Sequence, residues 1–409
     1  MGKISTLSER HRIFGFFSQI VRDYYLPISL TLSLRLGLSL WMATVWGLVD
    51  GYRPQPQDLV TKTFGVLAWR SSLLGRMLSD VWMRWDAVHY LNIAKVGYEG
   101  VGVGDLNYFP LYPYAIRALS FILFKDVTLA GLVLSTFSIC FALIFLQKLT
   151  AETFEDECLA RSAVWVYAIY PTSVFFFAPY TDALFAFLSI FCVWALRRKY
   201  WITGGIAGAL AALTRAQGLL LVLPFIVAIW KVRRIGDLRQ SGIAFFSLLV
   251  VPLGWLSFIL WRANQEVPNL ITTFEGYSNI VFANPIRGIL RAFDQAIETG
   301  SLLVYSELFS LLAFTFILIW MISRKRFWQQ ADLILYSGAT LLLFFTKQST
   351  AASVYQSANR YVLSLFPIFI GIAYLVNKLP ERRRKVYVAA NLAGLVIVST
   401  LYALFVFVG

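Results

Sequence analysis

An aspartate and a histidine sit among aromatic residues early in this chain, in Arg84-Trp85-Asp86-Ala87-Val88-His89-Tyr90. At helical spacing Trp82, Asp86, His89 and Tyr90 share one face, which Ile93 and Gly97 continue. Gly97 is a natural stop, so a short amphipathic helix along a membrane surface is expected. A partly desolvated carboxylate gains basicity, which suits taking a proton from an attacking hydroxyl. Asp86 is therefore the candidate general base, and His89 a candidate donor beside it. Both have plainer uses: Asp86 as a charge near a helix N-terminus or an ion-pair partner of Arg84, His89 as an ordinary interfacial histidine. A third catalytic candidate, Asp182, lies in Ala178-Pro179-Tyr180-Thr181-Asp182. Capping its own helix also accounts for it.

Group transfer from a phosphate leaving group needs a base but no acid, provided cations stabilise the departing charge. Arg215, Lys347 and Arg360 are the candidates for that phosphate. Arginine matches phosphate oxygens bidentately, and lysine acts as a point charge. Singly each is also an interface anchor. As a set, a phosphate site is the more economical reading, because basic residues are disfavoured on the outer side of a membrane. Arg84, Trp85, Tyr90, Tyr112 and Tyr180 are the candidate substrate-binding residues around the acids.

Metal and nucleotide chemistry find little support. The two histidines are His11 and His89, and the three cysteines (Cys140, Cys158, Cys192) have no paired zinc spacing. No Asp-X-Asp pair occurs in the expected outer loops, so neither a metal nor another cofactor is expected. Gly204-Gly205 and Gly208 fall in a helical run, where small residues permit close packing, and not in a phosphate-cradling loop. A donor already resident in the membrane suits the sequence better than a soluble nucleotide.

The elements that must position these residues follow from composition. Of 409 residues 58% are hydrophobic and only 14% charged, against roughly 25% charged in a soluble globular protein. The net charge of +14 gathers in short segments between apolar runs. That is the positive-inside pattern, so membrane lipids and not nucleic acid are the expected surroundings. Apolar runs cover 28–49, 107–124, 128–148, 162–178, 180–196, 203–232, 241–262, 302–322, 331–346, 360–378 and 386–408. Basic clusters mark the cytoplasmic side in the N-terminal arm, Arg197-Arg198-Lys199, Lys231 to Arg239, Arg324-Lys325-Arg326 and Arg382 to Lys385. An even number of crossings must separate consecutive clusters. Hence 203–232 splits near Thr214-Arg215-Ala216-Gln217-Gly218, and one run before Arg197 does not span. That run is 107–124, which carries Pro110, Pro113, Arg117 and interfacial tyrosines.

The expected architecture is an all-α polytopic membrane protein of about 11 transmembrane helices. Its N-terminus is inside, its C-terminus outside, and an interfacial helix lies in the first outer loop. The divisions are a cytoplasmic arm at 1–27 without a cleavable signal, a transmembrane module at 28–262 with its first outer loop at 50–127, and an outer loop with C-terminal helices at 263–409. Arg35 is expected to snorkel, lying about 10 Å from the inner end of its helix. Glu155-Asp156-Glu157 is expected on the cytoplasmic side as a solvated link.

The motif at 84–98 (Arg84 to Tyr90, Ile93-Ala94, Gly97-Tyr98), followed by Phe109-Pro110-Leu111-Tyr112-Pro113, closely resembles the PIG-V mannosyltransferases. Tyr170-Pro171-Thr172-Ser173-Val174-Phe175, Tyr180-Thr181-Asp182-Ala183-Leu184-Phe185, Thr214 to Gly218 and Arg360-Tyr361 with Pro367 resemble later landmarks in the expected order. The resemblance implies a GT-C fold and inverting transfer of mannose from polyprenyl- or dolichyl-phosphate mannose to a lipid-linked or glycan acceptor. It places the base at Asp86, with Asp182 where the family commonly has glutamate. A bacterial-type relative in the plasma membrane, with its site on the non-cytoplasmic side, is expected; a eukaryotic source would place it in the endoplasmic reticulum. The alternatives are a lipid or solute transporter or flippase, and a non-catalytic scaffold.

Overall fold

The computed structural model describes residues 23–49, 75, 79–265, 270–277, 279–351 and 353–406. Most of the expected first outer loop before residue 79 lies outside the described residues.

The apolar runs become helices near their expected positions: Tyr25–Leu48, Val127–Phe154, Glu157–Ala168, Thr181–Arg197, Trp201–Thr214, Val222–Arg234, Leu238–Asn264, Leu302–Ile322, Ala331–Thr346, Phe366–Asn377 and Glu381–Ala403. Among the described residues six helical segments are long and apolar enough to cross a membrane, or seven when the pair Ala358–Ser364 and Phe366–Asn377, bent by 88°, counts as one span. Set against the expectation of about 11 transmembrane helices, several of the remaining apolar helices are short. Glu157–Ala168 ends after 12 residues because Pro171 cannot continue it, and the chain goes on as the 3₁₀ turn Pro171–Phe176. Trp201–Thr214 and Ala331–Thr346 are likewise short.

The break expected at 214–218 is present. Arg215 is extended, and Gly218 lies so close to the preceding helix that a Cβ would meet the Ala212 nitrogen at 2.3 Å. The segment 107–124 does not cross: its helix, Leu111–Ser120, has 10 residues. Arg117 on that helix donates to the carbonyls of Ala94 (2.7 Å) and Lys95 (3.1 Å), capping the helix Asp86–Val96. Gly97, at φ +83°, ends that helix as expected. Six of its residues are buried, packed toward the helices Leu111–Ser120 and Val127–Phe154. Arg117→Ala is expected to lower stability by about 1–3 kcal/mol, leaving substrate affinity unchanged. Thermal unfolding with parallel kinetics checks this.

Polar groups separate to the two ends of the bundle. At one end Arg197 grips Asp332 with two 2.8 Å bonds, Arg198 holds Glu152, and Arg326 reaches Asp156 and the Phe154 carbonyl. Asp156 also caps the helix Glu157–Ala168, so Glu155-Asp156-Glu157 is a helix start at the end remote from Asp86. Tyr24 sits at this same end beside Lys148. Tyr402, by contrast, bonds the Trp82 carbonyl, so the last described helix finishes at the Asp86 end. The described residues thus begin at one end of the bundle and finish at the other.

Arg35 does not snorkel. Its Nη1 donates to the Phe177 carbonyl at 2.6 Å and its guanidinium lies 4.5 Å over the Trp82 ring. A carbonyl left at the end of the 3₁₀ turn provides a nearer partner than the headgroup region.

Between 263 and 301 the chain adds the strand Ile280–Phe282 and the helix Pro285–Thr299, capped by Asn284. The strand pairs antiparallel with Lys347–Ser349, placing Phe282 opposite Lys347. This two-stranded ladder fixes where Lys347 leaves its helix.

Candidate active site

A cavity of about 500 Å³ opens at the Asp86 end. Its walls are the start of the helix Asp86–Val96, the loop 104–109, the turn at 214–217, the end of the helix Ala331–Thr346, the two strands, and residues 356–361. Of the residues singled out from the sequence, Trp85, Asp86, His89, Tyr90, Arg215, Lys347 and Arg360 line it.

Asp86 is the first residue of its helix and pairs with Arg360, Nη1 to Oδ2 at 2.7 Å. Tyr108 donates to its other oxygen at 3.2 Å. Behind it Arg360 Nε faces Asp182 Oδ2 at 3.8 Å, and Asp182 Oδ1 accepts from Arg215 at 2.8 Å. The order Asp86–Arg360–Asp182–Arg215 is thus one chain of alternating charge. Asp182 is 2% exposed and lies behind the wall, its carboxylate holding two cations and making no cap bond. Lys347 Nζ donates to the Tyr361 hydroxyl at 2.8 Å and lies 4.0 Å over that ring.

Trp85 precedes Asp86 at φ +50°, ψ −123°, a conformation that costs a bulky L-residue about 1–3 kcal/mol. Its side chain is partly exposed in the cavity. The strain aims Asp86 inward while the tryptophan stays at the mouth.

The expected gain in basicity at Asp86 is corrected. Burial does push its carboxyl up, but the Arg360 charge and hydrogen bond, with His89 and Tyr108, outweigh burial and hold it below the ordinary aspartate value. His89 shifts the other way. Burial works against its charge, yet its 2.5 Å bond from Nδ1 to Asp105 and the nearby Asp86 charge raise it overall. The pair's contribution to stability is therefore complete below about pH 6.5 and is lost as pH rises through the raised value. Asp105→Asn is expected to lower the His89 pKa. Imidazole NMR reads this directly, since only His11 and His89 contribute.

Arg84, Tyr112 and Tyr180 are not brought to the cavity. Arg84 is 1% exposed, stacked over Phe405 at 3.7 Å and Trp46 at 4.4 Å, so it does not pair with Asp86. Tyr112 bonds Ser135 at 2.6 Å, and Tyr180 bonds the Arg84 carbonyl at 2.9 Å beneath Arg360. All three support the wall from behind.

Three residues that the sequence did not single out belong to the site. Asp105 orients His89, Tyr108 bonds Asp86 and stacks on His89 at 5.1 Å, and Tyr361 carries Lys347. Tyr108 stood in the run 107–124 and Tyr361 in the landmark Arg360-Tyr361, so both were visible there without a role. Asp105 follows a glycine-rich stretch with no period that could pair it with His89. Among the described residues no group of three or more His, Cys, Asp or Glu side chains comes together as a metal site would require.

Residues 66–259 match the mannosyltransferase (PIG-V) family. The resemblance carried by the motifs at 84–98, 109–113, 170–185 and 214–218 is thereby shown over that stretch; Arg360-Tyr361 lies beyond it. GPI mannosyltransferase 2 of Drosophila pseudoobscura pseudoobscura is 30% identical over 143 residues, covering 33% of this chain and 31% of that protein. GPI alpha-1,6-mannosyltransferase 2 of Rattus norvegicus is 33% identical over 149 residues, covering 34% and 30%. The chain thus spans about a third of the length of these curated relatives. The crystal structure of ArnT from Cupriavidus metallidurans bound to undecaprenyl phosphate superposes with a TM-score of 0.51 at 13% identity, over 80% of this chain and 74% of that one. The fold is GT-C, and the chain is an integral, multi-pass membrane protein.

Proposed function

From the likeness to the PIG-V mannosyltransferases we propose that this chain transfers mannose from a polyprenyl- or dolichyl-phosphate donor to a hydroxyl of a lipid-linked or glycan acceptor, with inversion. The observation that carries the reading is the meeting of Asp86 with Arg215, Lys347 and Arg360 on one cavity at one end of the bundle. The acceptor oxygen attacks the anomeric carbon as the bond from that carbon to the phosphate oxygen breaks. The electron pair leaves with the phosphate, and Asp86 takes the acceptor proton. Arg215 and Lys347 supply positive charge for the departing phosphate. Arg360 shares its charge between that phosphate and the two carboxylates. His89, held by Asp105 and stacked on the Tyr108 ring, is the proposed hydrogen-bond donor beside the base.

The site is assigned to the non-cytoplasmic face, because the opposite end carries Arg197, Arg198, Lys199, Lys231 and Arg326. A bacterial plasma membrane is the proposed location. The test is transfer of radiolabelled mannose from the lipid donor by the full chain in nanodiscs. A labelled lipid or glycan product is expected. Passage of a substrate across proteoliposomes without any covalent product would replace this reading with the transporter.

A further inference from the structure

The helix Leu302–Ile322 contributes nothing to the cavity lining, yet it carries a carboxylate, Glu307, that is 1% exposed. Burying such a group is costly unless every lone pair finds a donor. Both oxygens do. Oε1 accepts from the Ser357 backbone nitrogen at 2.7 Å, and Oε2 accepts from the Ser353 hydroxyl. The same face supplies Ser306 and Ser310, which bond the two ends of the Asn359 amide at 2.8 and 2.6 Å. One turn and a half of a spanning helix therefore holds residues 353–359, the segment that delivers Arg360.

The backbone shows why an anchor is needed. Ser357 stands at φ +70°, a conformation that residues other than Gly and Asn adopt with difficulty. Its carbonyl accepts from Arg360 and Tyr361 and so starts the short helix Ala358–Tyr361. The Glu307 bond to the Ser357 nitrogen holds that strained residue. The direction in which Arg360 leaves its helix, toward Asp86 and Asp182, depends on it.

We propose that Glu307 is a positioning residue: through Ser353 and Ser357 it sets Arg360 for the donor phosphate without touching substrate. This rests on the reading of Arg360 as a phosphate ligand. Glu307→Gln keeps an acceptor for the Ser357 nitrogen and an amide for the Ser353 hydroxyl, whereas Glu307→Leu removes both bonds.

The experiment is equilibrium binding of radiolabelled polyprenyl phosphate to the full chain in nanodiscs, with the donor KM where turnover is measurable. Glu307→Leu is expected to weaken binding by about tenfold or more and Glu307→Gln by no more than about twofold. In an Arg360→Lys background Glu307→Leu should add almost nothing, because both changes act on one contact. A purely structural role would lower the melting temperature without this dependence on Arg360. Wild-type affinity in Glu307→Leu, or an effect that multiplies fully with Arg360→Lys, overturns the inference alone. Failure of the wild-type chain to bind the lipid phosphate overturns the site reading with it. Should Glu307→Leu not fold, Ser353→Ala removes one of the two bonds. It is expected to weaken binding several-fold, and unchanged binding there also overturns the inference.

Discussion

Asp86→Asn is expected to lower the transfer rate by roughly 10²–10⁴-fold, the usual contribution of a positioned base, with the protein still folded. Asparagine keeps one acceptor oxygen for Arg360 and turns its amide nitrogen to the Tyr108 hydroxyl, which can rotate to accept, but it cannot take a proton. Loss should therefore fall on kcat, with the donor KM changed little. The pH dependence separates this from a merely electrostatic role. Arg360 holds Asp86 below the ordinary aspartate value, so the acid limb of kcat/KM, which reports the free enzyme, is expected below about pH 3.9. A phosphate drawing on Arg360 weakens that pairing and lets the carboxyl rise, so the acid limb of kcat should lie at higher pH. Rates measured from pH 3 to 8 at saturating and limiting donor give both. Coincident limbs would separate Arg360 from the phosphate.

Arg360→Ala is the second large effect, and it acts on stability and activity together. Arg360 is 7% exposed and faces both Asp86 and Asp182. Removing one partner of a buried pair leaves charge uncompensated and typically costs about 3–5 kcal/mol. Asp182 retains Arg215, and Asp86 is partly open to the cavity, so the lower end of that range is expected. Activity should fall at least about 100-fold, since phosphate stabilisation and the setting of Asp86 are lost together. Arg360→Lys keeps the charge without the planar fork. It should fold near-normally and raise the donor KM by about tenfold, the separation that distinguishes a ligand from a prop. Thermal unfolding and donor titration of both variants check this.

Much of this site was legible in the sequence because membrane parity constrains it. Positive charge confined to alternate links put Asp86, Arg215, Lys347 and Arg360 on one side before any contact was known, and the structure places all four on one cavity. The short helix Leu111–Ser120 followed from its prolines and tyrosines. What was not legible depends on which distant groups meet. The sign of the Asp86 shift turned on Arg360, 274 positions away, outweighing burial. Arg84 stands two residues from Asp86, just before the helix begins, yet turns to Trp46 and Phe405, since residues two apart do not share a face. Glu307 lies inside an apolar run, and nothing local shows that a loop nearly 50 residues later satisfies it. The short helix Glu157–Ala168 was hidden because hydropathy merges it with the 3₁₀ turn that follows Pro171.

The most direct measurement is the structure of the full chain in nanodiscs with a non-hydrolysable polyprenyl-phosphate mannose analogue. Phosphate density among Arg215, Lys347 and Arg360, with the anomeric carbon turned toward Asp86, is the predicted result. Density for the phosphate at the opposite end, among Arg197, Arg198 and Lys231, or a sugar held with Asp86 out of reach, would contradict it.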